Sequence, residues 1–408
     1  MQLIQTLNKK IKLGLLIIII IIASLPIRLW HLTDYPRMIV DESANLRDIN
    51  KILSNKTTGI TDFEWGFGQA IAVQYPSALL VRIYGQNREF FALRLTSVLF
   101  SLLALIPFFF IVRYYSNDII AFCTTLLFSF SYYYLQFSRV GWTNILVVTM
   151  SLYLMWLVIS ISNKYSLPKA VLAGFLSGLI FYGYRGGHIY IAASFIFLSI
   201  NLLNSMKFFK KNLVILLLFI SSFAITSFPW YTKIINNYEQ YNLRSKFVLI
   251  FNNPEIYHTS IKTDIIGHQI ITTFKSWILL EPVPTNAMDI EGPRYLPLQY
   301  PPINLLIKIA FWGGLIIATL KFKQNYIWLF ILITGLIFGQ ILTVYPPNGS
   351  RGLILLPIIY LFSSFSFYKL YLLTNKNAYT LSAILVLSLI FATHDFLFYQ
   401  YWMTWIRI

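Results

Sequence analysis

Apolar residues along this chain come in unbroken runs rather than in stripes or alternations. The stretch from Leu13 to Pro26, with its string of isoleucines, and that from Asn212 to Phe228 are hydrophobic on nearly every side. A helix that is apolar all round belongs in a core or in a bilayer, and a helical span needs about 20 such residues. Strands of a membrane barrel would alternate apolar and polar positions, and these segments do not. The pattern predicts helical spans over residues 12–29, 90–112, 118–136, 144–161, 169–183, 188–203, 212–230, 303–320, 326–344, 352–373 and 379–397. A further apolar segment, 68–84, holds Pro76 and Arg82 and reads as a short or re-entrant helix. Two connections are long, 30–67 and 231–302, and the others are short. The expected fold is all-α and polytopic: one transmembrane domain over residues 1–408 with about ten or eleven membrane helices and two long outer loops.

Composition supports the same class. Of the 408 residues, 57% are hydrophobic and 12% charged, too little polar surface to cover a soluble protein of this length. The formal net charge of +17 invites a nucleic-acid reading, but Lys and Arg flank the apolar runs, as membrane topology demands. The one cysteine, Cys123, lies inside an apolar run, so no internal disulfide exists, and no Cys/His cluster suggests structural zinc. Lys9, Lys10 and Lys12 precede the isoleucines with no small-residue cleavage site after them, which reads as a retained first anchor. With those lysines in the cytoplasm, 113–117, 162–168, 204–211, 321–325 and 374–378 fall inside. They carry Arg113, Lys164, Lys207, Lys210, Lys211, Lys321, Lys323 and Lys376, and no acid. Of the 15 acidic residues only Asp118 lies near an inner boundary. Acids contribute little to topology, so their crowding on one side points to a function at the outer face.

The adjacent pair Asp41-Glu42 sits just beyond the first span. Neighbouring carboxylates repel each other. They make sense as a base, or as holders of a metal or cationic partner. The plainer alternative is a helix N-terminus, with Asp41, Glu42 and Ser43 capping the segment SANLRDINKIL.

The stretch YPRMIVDESANLRDINKIL resembles the first outer loop of membrane glycosyltransferases of the GT-C fold. It is most similar to the superfamily of protein O-mannosyltransferases and lipid A aminoarabinose transferases. YPSALLVRIYGQNREFFALRLTSVLFSLLALIPFFFIVRYY resembles the stretch that follows there. YYYLQFSRVGWTNIL and AGFLSGLIFYGYRGGHIYI resemble the second and third outer loops, and NGSRGLILLPIIYLF a late outer-loop Arg entering a span.

The resemblance implies hexosyl or pentosyl transfer from a polyprenyl-phosphate sugar to a lipid, protein or glycan acceptor, at the extracytoplasmic face of the cell membrane. It makes Asp41 the catalytic base, with Glu42 positioning it or a metal. The leaving phosphate needs cations, and Arg139, Arg185, His188 and Arg351, all in short outer connections, are the candidates. The alternative for each is a side chain snorkelling to headgroups. Arg185 stands out because Gly186 and Gly187 follow it, and glycine lets backbone approach a ligand closely. Asn286 and Arg294, in the Pro-rich end of the second long loop, match a segment that covers the active site in relatives. Relatives often carry a second acid where this chain has Val140, Gly141, Trp142, Thr143 and Asn144, which leaves a divalent metal open. The Trp-Trp-Asp motif of the oligosaccharyltransferase branch is absent. The competing readings are a transporter or flippase, or a polymerase, of lipid-linked glycans. Charges at the span ends and the lack of a repeat between the halves disfavour transport.

Overall fold

The computed structural model describes residues 2–66, 68–85, 87–204, 209–253, 261–282, 297 and 300–405. Asn286 and Arg294 lie outside these residues. Among the described residues, eight helices are long and apolar enough to cross a membrane, and a bent pair adds a ninth. Two shorter apolar helices, Leu167–Tyr182 and Leu305–Leu320, bring the set to the upper end of the expected number.

The elements bearing on the site are α1 (Gln2–Leu29), α2 (Val40–Leu53), α3 (Tyr75–Tyr84), α4 (Glu89–Tyr115), α5 (Asp118–Phe130), α6 (Tyr132–Arg139), α7 (Thr143–Asn163), α8 (Leu167–Tyr182), α9 (His188–Asn204), α10 (Phe209–Asn236), α11 (Tyr238–Val248) and α12 (Lys262–Thr273). The second half holds α13 (Leu305–Leu320), α14 (Phe322–Leu336), α15 (Leu356–Leu373) and α16 (Ala378–Trp405). The span Gly349–Leu373 is 78% buried within the protein and Ala378–Met403 only 22%, which separates an inner helix from one on the periphery.

Three predicted boundaries shift. The span expected over 118–136 breaks at Ser131, where α5 and α6 meet at 59°. All eight residues of α6 are buried, so the break turns the chain into the protein rather than along the bilayer. The interrupted segment 68–84 becomes a 3₁₀ turn, Ile71–Gln74, followed by α3, with Pro76 in the first helical turn where its missing N–H costs nothing. Much of the described part of the long connection 231–302 is helical, in the end of α10, α11 and α12.

α2, α3 and the N-terminus of α4 define one end of the bundle. The C-terminus of α4, at Tyr115, marks the opposite end. There Asn117 caps α5 by accepting from the Ile120 N–H, and Asp118 pairs with Arg113 at 2.5 Å.

Candidate functional site

Glu42 is fully buried, and Arg94 of α4 grips it from two sides: Nε to Oε1 at 2.7 Å and Nη2 to Oε2 at 2.8 Å. Two backbone groups also donate to the carboxylate, the Gly141 N–H at 2.7 Å and the Ile39 N–H at 3.1 Å. The latter is the back-reach of a capping arrangement at the start of α2. Arg94 spends its remaining reach on the Leu32 carbonyl at 2.7 Å. Asn45, one turn along α2, donates to the Gly141 carbonyl at 2.8 Å and accepts from Gln74 at 2.9 Å. Gly141 must be glycine: a Cβ there would lie 2.3 Å from Leu93 Cγ. The α6–α7 turn thus presses onto α4, and its N–H reaches Glu42. With four hydrogen bonds on one carboxylate, Glu42 is a framework group. Asp41, next along the helix, is half-buried.

Arg139 is placed differently from the other candidate cations. Its guanidinium is buried at the end of α6 and donates to the carbonyls of Ile27, Trp30, His31 and Tyr35. It ties the first outer loop to the end of α1, and it does not line the cavity described next.

Arg185, His188 and Arg351 do come together. They line one cavity of about 490 Å³ with Arg244 of α11, and none of the lining residues is acidic. Its walls include Ile189 and Ala192 of α9 and Phe330 and Phe338 at the end of α14, so a polar head opens onto an apolar groove. Arg185 lies over the Tyr241 ring at 4.1 Å and donates to the Tyr241 carbonyl and the Ser245 hydroxyl. Gly68 has φ +83°, and a Cβ there would meet the Tyr241 carbonyl oxygen at 2.7 Å and Arg185 Nη2 at 2.9 Å, so only glycine fits beneath this contact. Arg244 donates to the Gly66 carbonyl at 3.2 Å. Arg351 sits in the short helical turn Gly349–Gly352, capped by Asn348 Oδ1, and donates to the Val344 carbonyl at 2.9 Å. Gln340 braces that turn through both of its amide atoms to the Asn348 backbone, from a π-helical stretch, Ile337–Ile341. His188 packs on Phe181 at 5.0 Å, and its buried Nε2 has no partner.

Between Asp41 and the arginines lies a group absent from the sequence-based set, Glu64. It is buried and its Oε1 has no partner. Burial pushes its carboxyl up to about 8; Arg244 draws it down, and Asp48 and Asp41 add to the rise. Asp48 is also buried and accepts the Trp65 N–H with both oxygens, at 3.0 and 3.1 Å. Burial, partly offset by that N–H, lifts it to about 6. Tyr184 on the cavity wall is raised first by burial, while Arg351 and Arg244 lower it and Asp41 raises it. Asp41 is therefore within electrostatic reach of both the cavity wall and Glu64. Among the described residues no three His, Cys, Asp or Glu side chains gather to hold a metal ion.

Arg244 and Glu64 escape a sequence reading for different reasons. Arg244 sits in the polar segment YEQYNLRSKF, indistinguishable there from a surface helix. Glu64 carried a signal, since an acid within DFEWGFGQA is flanked by aromatics and glycines rather than by polar residues.

Residues 69–230 match the family of dolichyl-phosphate-mannose-protein mannosyltransferases, so the matched region begins beyond the Asp41-Glu42 pair. The fold is similar to that of ArnT from Cupriavidus metallidurans in the apo state, with a TM-score of 0.56 and 11% identity over 86% of this chain and 59% of ArnT. The likeness to the same protein bound to undecaprenyl phosphate has a TM-score of 0.55 and 10% identity, with the same coverage. The oligosaccharyltransferase of Archaeoglobus fulgidus, solved with Zn and sulfate, gives a TM-score of 0.56 and 12% identity over 95% of this chain and 53% of that one. The chain thus spans between half and three-fifths of the length of these proteins. No curated protein matches it in sequence. The protein has the GT-C fold, the polytopic helical architecture of membrane glycosyltransferases.

Proposed function

We propose that the protein is a glycosyltransferase that moves a sugar from a polyprenyl-phosphate donor to an acceptor at the extracytoplasmic face of the cell membrane. The observation that carries this reading is the cavity in which Arg185, Arg244 and Arg351 stand at the head of an apolar groove. A polyprenyl phosphate is a ligand of that shape, an anionic head on a hydrocarbon tail. Guanidinium forks match phosphate oxygens and stabilise them as charge accumulates on the leaving group. The family matched by residues 69–230 is named for a dolichyl-phosphate sugar, and ArnT was solved with undecaprenyl phosphate. The first names a sugar donor of this class and the second a carrier without its sugar.

In the proposed chemistry the acceptor hydroxyl attacks the anomeric carbon, its proton passes to Asp41, and the bond to the phosphate oxygen breaks toward the arginines. Glu42 and Arg94 fix the start of α2 so that Asp41 faces the site. Glu64, kept protonated at neutral pH by burial, adds no second negative charge beside the leaving phosphate. His188, bonded to the Phe181 backbone through its other ring nitrogen, leaves its buried Nε2 at the cavity wall as an acceptor for a sugar hydroxyl. The oligosaccharyltransferase likeness is one of fold alone and does not change the expected donor.

The test offers purified protein radiolabelled sugar on polyprenyl phosphate and, separately, on a nucleotide, and follows release of the carrier. Turnover of the lipid-linked donor is expected. Asp41→Asn should lower it by roughly 10²–10⁴-fold while thermal unfolding stays near the parental temperature, because Asp41 lies in the first turn of α2 and not at its N-cap, Ile39, and Asn keeps its size. Arg185→Lys and Arg351→Lys should weaken donor binding. Transfer from the nucleotide sugar alone overturns the donor assignment, and a tenth or more of parental activity in Asp41→Asn removes it as the base.

A further inference from the structure

We propose that the end of the molecule opposite the arginine cavity holds a binding site for the headgroup of an anionic, hydroxyl-bearing phospholipid, formed by Lys321, Asn325, Lys369 and Tyr115. These side chains line a second cavity, of about 100 Å³, among α13, α14, α15 and the C-terminus of α4. That is room for a phosphate and its polar substituent but not for an acyl chain. Leu320 and Leu373 stand exposed nearby, at 81% and 66%, as a surface on which acyl chains can lie.

Two lysines at a membrane boundary are by themselves an ordinary basic rim. Asn325 makes this site different. It is 3% exposed, its Nδ2 donates to the Lys321 carbonyl at 3.2 Å, and its Oδ1 has no partner. A buried acceptor left unpaired is costly, and here its residue lines a cavity whose charged groups, Lys321 and Lys369, are both cationic. Tyr115 accepts from Trp328 Nε1 at 2.8 Å, which leaves its own hydroxyl proton to give. Neither lysine has a carboxylate partner among the described residues, and the one acid at this end, Asp118, is engaged by Arg113. The site therefore asks for a phosphate, taken by the lysines and Tyr115, that also carries a hydrogen-bond donor for Asn325. An ammonium donor, as in an ethanolamine headgroup, would meet two lysine charges at close range. A hydroxyl would not, so the headgroup of phosphatidylglycerol fits best. Basic pockets between membrane helices hold anionic headgroups in this way.

The full chain in detergent is titrated with phosphatidylglycerol, phosphatidic acid and phosphatidylcholine of matched acyl chains, and bound lipid is counted by native mass spectrometry. Phosphatidylglycerol should bind at least about tenfold more tightly than phosphatidylcholine. The double substitution Lys321→Gln, Lys369→Gln should weaken it by roughly ten- to thirtyfold, while Lys323→Gln, which is not in the cavity, leaves it unchanged. Asn325→Leu should abolish the preference for phosphatidylglycerol over phosphatidic acid. If that variant is unstable, Asn325→Asp, close to isosteric, should weaken both anionic lipids by setting a carboxylate beside their phosphate. Equal binding of phosphatidylglycerol to parent and double variant overturns the proposal. So does an equal loss in Lys323→Gln, which would mark a diffuse basic surface.

Discussion

Asp41 and Glu42 are adjacent in sequence and opposite in circumstance. Glu42 is enclosed with Arg94 and two backbone N–H groups, while Asp41 is half-buried toward Tyr184 and Glu64. Removing one partner of a buried ion pair strands the other charge, at a cost on the order of 3–5 kcal/mol. Glu42→Gln should therefore fail by unfolding, visible as a lower melting temperature in detergent, whereas Asp41→Asn fails in turnover with its melting temperature kept. A parental melting temperature for Glu42→Gln would show that the Arg94 contact contributes little. The sequence supplied the Asp-Glu pair and its loop, but not which carboxylate would be enclosed. That depends on Arg94, 52 residues further on, and on Gly141 beyond the next span. Arg139 illustrates the same blindness in reverse. As a position it resembles Arg185 and Arg351, yet its two terminal nitrogens donate to the Ile27 carbonyl of α1 and to three carbonyls of the first loop.

Among the helices, apolar run length located nearly every span, because burial in lipid leaves a signal in composition alone. The break at Ser131 left none. FSFSYYYLQF is mostly aromatic, with no Gly or Pro to mark a turn. Its reorientation is set by what α6 packs into rather than by local propensity. Close helix pairs depend on small residues in a way the sequence does display, in the Gly174 and Gly178 spacing of α8 and in Gly313-Gly314 of α13. A Cβ at Gly314 would lie 1.7 Å from the Phe362 carbonyl oxygen, so α13 and α15 touch backbone to backbone. Gly314→Ala should destabilise the protein by about 1–3 kcal/mol through forced separation of the pair. Gly267→Ala, in α12 with nothing within 4 Å, should be neutral or stabilising by up to about 1 kcal/mol. Denaturant unfolding of the two variants compares them directly, and equal effects would refute the close-packing account.

Across the whole molecule the two ends differ in chemistry. One gathers Asp41, Glu42, Asp48, Glu64 and the three cavity arginines; the other has lysines and the pair Arg113–Asp118. The positive-inside rule leads us to expect the lysine end in the cytoplasm. The sole cysteine, Cys123, is buried, so an introduced thiol reports alone. Asp41→Cys should react with a membrane-impermeant maleimide on intact cells, and Lys376→Cys only after permeabilisation. The reverse pattern would invert the expected orientation and overturn the proposal of an extracytoplasmic site.

The cavity draws its lining from Gln69 through Ile354, and this spread has a consequence for biogenesis. At ordinary elongation rates the ribosome needs roughly ten to thirty seconds to travel from Arg185 to Arg351. Throughout that interval the nascent chain already carries its carboxylates and first arginine, but lacks the wall that closes the phosphate pocket. On the proposed reading the site is thus incomplete until the span that follows Arg351 is threaded. If the proposed donor is the substrate, a membrane crowded with half-made copies would not consume the lipid on which its other users depend.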